Sequence, residues 1–265
     1  MTIRILVVGD VMGRLGRRMI QRELFRVREE HKADLVIVNG ENASGGFGLS
    51  EPNYFDLKDS GADIVTLGDH WLDQGSIRRV MSNATEPLVR PANYPMGAPG
   101  QGVWTEVVKG RPIRLVVLQG RVFMREGTDN PFACIEGILE EKREGEILLV
   151  EFHAEATSEK QAMQWFLDGN ATACWGTHTH VATADERIFP KGLAGISDIG
   201  MTGALDSVIG VVPEISVERF RKGIGTRFST PRVGSATFQG ALITVDSETS
   251  KAVSINRIRR DVTSL

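Results

Sequence analysis

Short aliphatic runs that stop abruptly at glycine and ionisable residues set the pattern of this chain. Residues 3–8 (broken only by Arg4), 35–38, 64–67 (with Thr66), 147–152 (with Glu151) and 171–175 (with Thr172) are otherwise apolar, which predicts strands buried in the middle of sheets. Between the first two, Leu15, Met19, Ile20, Leu24 and Val27 recur at helical spacing, with Arg14, Arg17, Arg18, Arg22 and Arg28 largely on other faces. Residues 158–167 read as another helix. Strands alternating with helices predict βαβ units and parallel strands at the heart of an α/β fold. Three antiparallel hairpins are expected as well: 103–108 with 113–118 across Lys109-Gly110, 187–189 with 193–196 across Pro190-Lys191-Gly192, and 236–245 with 252–259. No repeat, low-complexity stretch or linker interrupts the pattern, so residues 1–265 are expected to form a single domain with two sheets and helices outside.

Composition adds mainly exclusions. Hydrophobic content of 41% and charged content of 25% are ordinary for a globular protein. A formal charge of -3 argues against a basic nucleic-acid sleeve, so no stable nucleic-acid complex is expected, although a small phosphate-bearing ligand still fits. Cys134 and Cys174 are too few for a disulfide framework, which suits a reducing compartment. Cys174, inside a predicted strand, reads as a buried inert thiol. The start of the chain shows no basic leader, and no apolar run reaches bilayer length. A cytoplasmic protein without a membrane partner is therefore expected.

The informative feature is where the ionisable residues fall. Asp10, Glu41, Asp69, His70, His153, His178 and His180 each lie within a few residues of the downstream end of an apolar run. In open α/β sheets that is where ligands bind, because loops there gather side chains from distant parts of the chain. Four of the five histidines fall at such ends, His31 being the exception. Within Trp175-Gly176-Thr177-His178-Thr179-His180 the two imidazoles, two residues apart, are expected to project to one side of extended backbone, with Gly176 easing the turn. Carboxylates with imidazoles and no required thiolate suit iron, manganese or zinc. Six or seven such ligands are too many for one tetrahedral zinc and suit two metals about 3.5–4 Å apart sharing a carboxylate. Weaker motifs accompany them. Gly9-Asp10-Val11-Met12-Gly13 with Gly16 is not a dinucleotide fingerprint, and no P-loop occurs. Ser44-Gly45-Gly46-Phe47-Gly48 reads either as a backbone nest for a phosphate or as a flexible turn.

With these residues assembled, the chain resembles the calcineurin-like metallophosphoesterases, and within them the YmdB-like phosphodiesterases. The resemblance spans nearly the whole chain. It rests on Gly9-Asp10-Val11-Met12-Gly13, Asn39-Gly40-Glu41-Asn42-Ala43, Arg90-Pro91-Ala92-Asn93-Tyr94-Pro95, Gly120-Arg121-Val122-Phe123-Met124, the stretch from Phe152-His153 to Glu159-Lys160, Gly176-Thr177-His178-Thr179-His180, and Asp198-Ile199-Gly200-Met201-Thr202-Gly203. It implies a four-layer αββα sandwich, two mixed sheets flanked by helices, and a dinuclear centre of two metal ions, iron foremost. By resemblance, Asp10, Glu41, Asn42 and His180 serve one metal, while Glu41, Asp69, His153 and His178 serve the other, with Glu41 bridging. His70 would be the general acid. The implied reaction is in-line attack of a metal-bridging hydroxide on a phosphodiester, including 2′,3′-cyclic AMP, by a homo-oligomer. Met12 stands where the wider superfamily has histidine, and Asp69 where it has asparagine. The second exchange adds a negative charge to the centre.

Two other readings remain at this stage. The same residues could serve a broad phosphomonoesterase. Alternatively, the chain is a metal-binding regulatory protein that meets RNA-processing partners through the arginine-rich helix, although such a protein need not keep His70 beside Asp69.

Overall fold

Strands packed on both faces explain the unbroken apolar runs. In the computed structural model, which describes residues 1–124, 127–225 and 227–265, side chains alternate across each central strand into two different cores. Ile3, Ile5 and Val7 of the strand Thr2–Val8, with Leu35 and Ile37 of Leu35–Asn39, face inward. They meet Ile113, Leu115 and Val117 of Arg111–Gln119, and Ile147 and Leu149 of Ile147–His153, in one core between two sheets. The intervening residues Leu6, Val8, Val36 and Val38 instead pack against Met19, Ile20, Leu24 and Val27 of the helix Gly13–His31. On the far side, Val116, Leu118, Leu148, Val150 and Phe152 pack against Met163 and Leu167 of the helix Thr157–Leu167 and Ile135 of Pro131–Glu140. The layers are therefore helix, sheet, sheet, helix: the expected αββα sandwich.

Both sheets are mixed. The first runs Asp10–Val11, Met201–Ala204, Ala236–Asp246, Thr2–Val8, Leu35–Asn39, Ile64–Thr66 and Leu88–Val89 across its width, with Ala252–Val262 also paired to Ala236–Asp246. The strands from Thr2–Val8 to Leu88–Val89 are parallel, and Ala236–Asp246 runs antiparallel to Thr2–Val8. The second runs Arg187–Ile188, Ala194–Ile196, Ala173–Thr177, Ile147–His153, Arg111–Gln119 and Val103–Val108, with its middle four strands parallel. All three expected hairpins form as antiparallel pairs. Parallel strands point their carboxyl ends the same way, so the ends of Thr2–Val8, Leu35–Asn39, Ile64–Thr66, Ile147–His153 and Ala173–Thr177 open onto one rim.

The helices Glu51–Asp59, Pro131–Glu140 and Pro213–Lys222 are additions to the sequence reading. Each carries a proline in its first turn, where the missing N–H costs nothing, so a residue that reads as a breaker marks a start. No described helix is long and apolar enough to cross a membrane.

Gly176 plays a different part from the one expected. It lies within Ala173–Thr177, not at a turn, and a Cβ there would sit 1.8 Å from the Ser197 carbonyl oxygen. Glycine is demanded by close backbone approach. Gly176→Ala should destabilise the fold by roughly 3 kcal/mol, at or above the upper end of ordinary overpacking, as read from chemical unfolding. A variant within about 0.5 kcal/mol of the parent would contradict this packing.

Candidate metal centre

The rim brings together side chains that are far apart in sequence. Metal-competent atoms of Glu41, Asp69, His153 and His178 all lie within 4.8 Å of one another. Glu41 follows Leu35–Asn39 and Asp69 follows Ile64–Thr66 in the first sheet, whereas His153 ends Ile147–His153 and His178 follows Ala173–Thr177 in the second. The cluster thus joins the two sheets. His153 is at its middle, with Nε2 3.1 Å from Asp69 Oδ1, 3.2 Å from Glu41 Oε1 and 3.1 Å from His178 Nδ1.

Asp10, Asn42 and His180 adjoin this group through Glu41 and His178. Asn42 Nδ2 lies 3.0 Å from Glu41 Oε1 and 3.1 Å from His180 Nε2. Turning that amide over would present Oδ1 in its place, as a metal would require. Asp10 Oδ2 accepts the His178 backbone N–H at 3.2 Å. Its other oxygen, Oδ1, is buried with no hydrogen-bond partner among the described residues.

The donor set fits a cation. Asp10, Glu41 and His153 are fully buried and Asp69 nearly so, and buried carboxylates are costly without compensation. Burial pushes the Asp10 carboxyl up, with His180 opposing. Burial would also raise Glu41 and Asp69, but His153 holds Glu41 below its ordinary value, and hydrogen bonds from His153 and His178 take Asp69 well below. Burial would lower the His153 imidazole; Glu41 and Asp69 instead hold it well above its usual range. A proton on His153 is thus drawn into a place where positive charge is needed. The backbone is shaped around the same spot: a Cβ on Gly68 would lie 2.2 Å from Glu41 Oε2 and 2.3 Å from His153 Nε2.

His178 and His180 are not on extended backbone, contrary to the expected alternation. The strand stops at Thr177, and the two histidines adopt φ of +97° and +63°, a region non-glycine residues seldom occupy. This turn sends His178 to the His153 cluster and His180 to Asn42. Asp198 holds the strained loop: Oδ2 accepts Thr179 N–H at 3.1 Å and the Thr179 hydroxyl at 2.8 Å, and buried Lys160 donates to the same oxygen at 2.7 Å.

Other residues, absent from the sequence reading as site members, orient the imidazoles. Asp73 Oδ2 lies 2.7 Å from His70 Nδ1, Glu155 Oε2 3.2 Å from His178 Nε2, and the Ile209 carbonyl accepts from His180 Nδ1 at 2.9 Å. The i, i+3 spacing of His70 and Asp73 was the available signal. Beneath the centre, His153 Nδ1 meets the Thr177 hydroxyl at 2.9 Å, which donates to Glu151 Oε1 at 3.2 Å. Glu151 also accepts from Asn39 Nδ2 and the Thr66 hydroxyl, each at 2.7 Å. Asn39 Oδ1 in turn accepts the Glu41 backbone N–H at 3.0 Å. One buried carboxyl, pushed up to about 7 by burial, therefore ties both sheets and two rim residues together.

A cavity of about 340 Å³ opens beside the cluster, lined by Glu41, Asn42, His70, His178 and His180 on one side and by Phe47, Phe220 and Phe228 on the other. The Phe47 ring meets His70 edge-on and lies 5.9 Å, centroid to centroid, from that of Phe228. The Ser44–Gly48 stretch presents Phe47 to this cavity and spends two of its own N–H groups internally, Ser44 on the Gly48 carbonyl and Gly46 on that of Asn42. Cys174 is buried and burial pushes its thiol up to about 12, in keeping with an inert role.

The αββα sandwich, with this cluster at its strand ends, is the fold of the calcineurin-like phosphoesterases. A putative 5′-nucleotidase from Staphylococcus aureus superposes with a TM-score of 0.63 at 16% identity, this chain covering 54% of that one, a likeness of fold alone. A structure titled as a novel phosphatase of Mycoplasma pneumoniae superposes with a TM-score of 0.94 at 36% identity, covering 99% of this chain and 95% of that one. The sequence model for YmdB-like proteins matches residues 6–258, and the chain belongs to that family. A 2′,3′-cyclic-nucleotide 2′-phosphodiesterase of Bacillus subtilis (strain 168) is 43% identical over 97% of this chain and 96% of its own length.

The network under the centre makes a stability prediction. Glu151→Leu leaves Asn39, Thr66 and Thr177 without their acceptor and should cost roughly 1–3 kcal/mol per orphaned group, measured by urea unfolding. Glu151→Gln, which still offers one oxygen, should retain most of that stability. Equal stability of the two variants would show that the hydrogen bonds contribute nothing beyond volume.

Proposed function

We propose that this chain is a dinuclear metal-dependent phosphodiesterase that hydrolyses 2′,3′-cyclic nucleotides such as 2′,3′-cyclic AMP. The observation that carries the reading is the convergence of Glu41, Asp69, His153 and His178 beside a cavity with an aromatic wall. That wall suits a substrate with a flat base, since aromatic side chains stack on any nucleobase. The relative from Bacillus subtilis, named for the 2′ ester of such diesters, supports the same substrate class.

In this reading Glu41, Asp69, His153 and His178 would hold one metal, and Asp10, Asn42 and His180, with Glu41, would hold a second. The unpartnered Asp10 Oδ1 supports the second position. Nitrogen and oxygen donors without thiolate suit iron, with manganese or zinc as alternatives. When bound, such a pair supplies positive charge for the phosphoryl oxygens and an activated water. Asp69, charged where the superfamily has asparagine, lowers the net positive charge that the substrate meets.

His70 is the acid. Its Nδ1 is engaged by Asp73, which leaves Nε2 to carry the proton delivered to the departing 2′ oxygen. Asp73 fixes the orientation of the imidazole. The backbone N–H of His70 donates to Glu41 Oε2 at 3.3 Å, so the acid is placed directly from a metal-holding carboxylate.

The test is to reconstitute the purified protein with metal and assay 2′,3′-cyclic AMP beside a nucleoside monophosphate. Turnover of the cyclic diester alone, or well above the monoester, is expected; activity confined to the monoester would overturn the reading. His70→Ala should lower kcat by about 10²–10⁴-fold while elemental analysis finds its metal unchanged. Parent-like turnover in that variant would remove His70 from the role.

A further inference from the structure

A second cavity, lined by Arg14, Arg17, Arg227 and Arg232, shares the residues Gly45, Phe228 and Thr230 with the one beside the metal centre. Two distant segments supply the four guanidinium groups: the first turns of the helix Gly13–His31, and the loop after the helix Pro213–Lys222. No acidic side chain among the described residues lines it, although the chain as a whole carries a charge of -3. Its backbone anchor is fixed, because Arg17, half-buried, donates from Nη1 to the Ala43 carbonyl, next to Asn42. By contrast Arg28, further along the same helix, is paired with Asp63 at 3.1 Å. The arginines of this helix are therefore not one uniform solvated stripe. Those of the first turns are gathered with two others around a concavity.

Concave clusters of guanidinium groups without carboxylates concentrate anions and bind phosphate oxygens through forked hydrogen bonds. Phe228 separates this cleft from the metal centre while facing both. A nucleoside lying against Phe228 with its cyclic phosphate at the metals would turn its other end toward the arginines. We propose that this cleft is a subsite for a second phosphate, the one on the 5′ oxygen of the nucleotide whose 2′,3′-cyclic phosphate is hydrolysed. The inference rests on the function proposed above. The same chemistry comes from two sources, a free nucleotide carrying a 5′-phosphate or the 3′-terminal nucleotide of a short oligoribonucleotide.

Three substrates read the cleft: 2′,3′-cyclic AMP, its 5′-phosphorylated form, and a diadenylate ending in the cyclic phosphate. At low ionic strength kcat/KM should favour one or both of the 5′-phosphate-bearing substrates over 2′,3′-cyclic AMP by about tenfold, the worth of one charge-assisted hydrogen bond. The preference should shrink as salt is raised. Whichever of the two is favoured identifies the source. In the doubly substituted R227Q/R232Q protein, whose positions are exposed, the ratio should fall toward one. Equal rates for all three substrates in the parent, or a preference that survives R227Q/R232Q, would overturn the subsite while leaving the phosphodiesterase reading intact. If no cyclic diester is hydrolysed, that reading fails by itself, and calorimetric titration with adenosine 5′-monophosphate still decides the cleft: binding weakened in R227Q/R232Q supports it, unchanged binding or none refutes it.

Discussion

Everything at the rim follows from putting three carboxylates, Asp10, Glu41 and Asp69, out of water and close together. Such an arrangement repels itself, and a protein interior offers little to screen it. The described side chains answer only in part: His153 is drawn toward its charged form between Glu41 and Asp69, and Asp10 keeps an oxygen unpartnered. The remaining demand is for positive charge from outside the chain. A cation held by nitrogen and oxygen donors from both sheets would meet it, and the phosphoester chemistry proposed for the molecule would draw on the same charge.

The scaffold makes this strained grouping tolerable by building it on strand ends and bracing it from below. Glu151 receives hydrogen bonds from Asn39 and Thr66 of one sheet and Thr177 of the other, so the two halves of the rim are held in register by one carboxyl. Lys160 and Asp198, both buried, do the equivalent for the loop that carries His178 and His180. A ring held through one nitrogen presents the other in a fixed orientation, which is what the Thr177 hydroxyl does for His153 and the Ile209 carbonyl for His180.

Much of this was legible in the chain and some was not, for definable reasons. The central strands could be read because burial on both faces leaves an uninterrupted apolar run, as at residues 35–38. Site residues could be located, before any role is assigned, because strand ends are where parallel sheets collect ligands. The turn of His178 and His180 escapes the pattern because alternation presumes extended backbone, whereas tertiary contacts from Asp198 accompany positive φ there. Gly176 hides its role for a similar reason: its need is the nearness of Ser197, a residue remote in sequence. Glu151 left a trace, a lone acid inside the run 147–152, but its partners come from three other strands and have no sequence signature. The helices that begin with proline were invisible because proline signals a stop and a start alike.

The central claim, that the rim exists to hold a pair of cations sharing Glu41, is tested most directly by anomalous diffraction from crystals of the metal-loaded protein, paired with elemental analysis of the same preparation. The account predicts two ions per chain, about 3.5–4 Å apart, with Glu41 against both, His153 and His178 at one and His180 at the other. A single ion, or two bound away from Glu41, would contradict it.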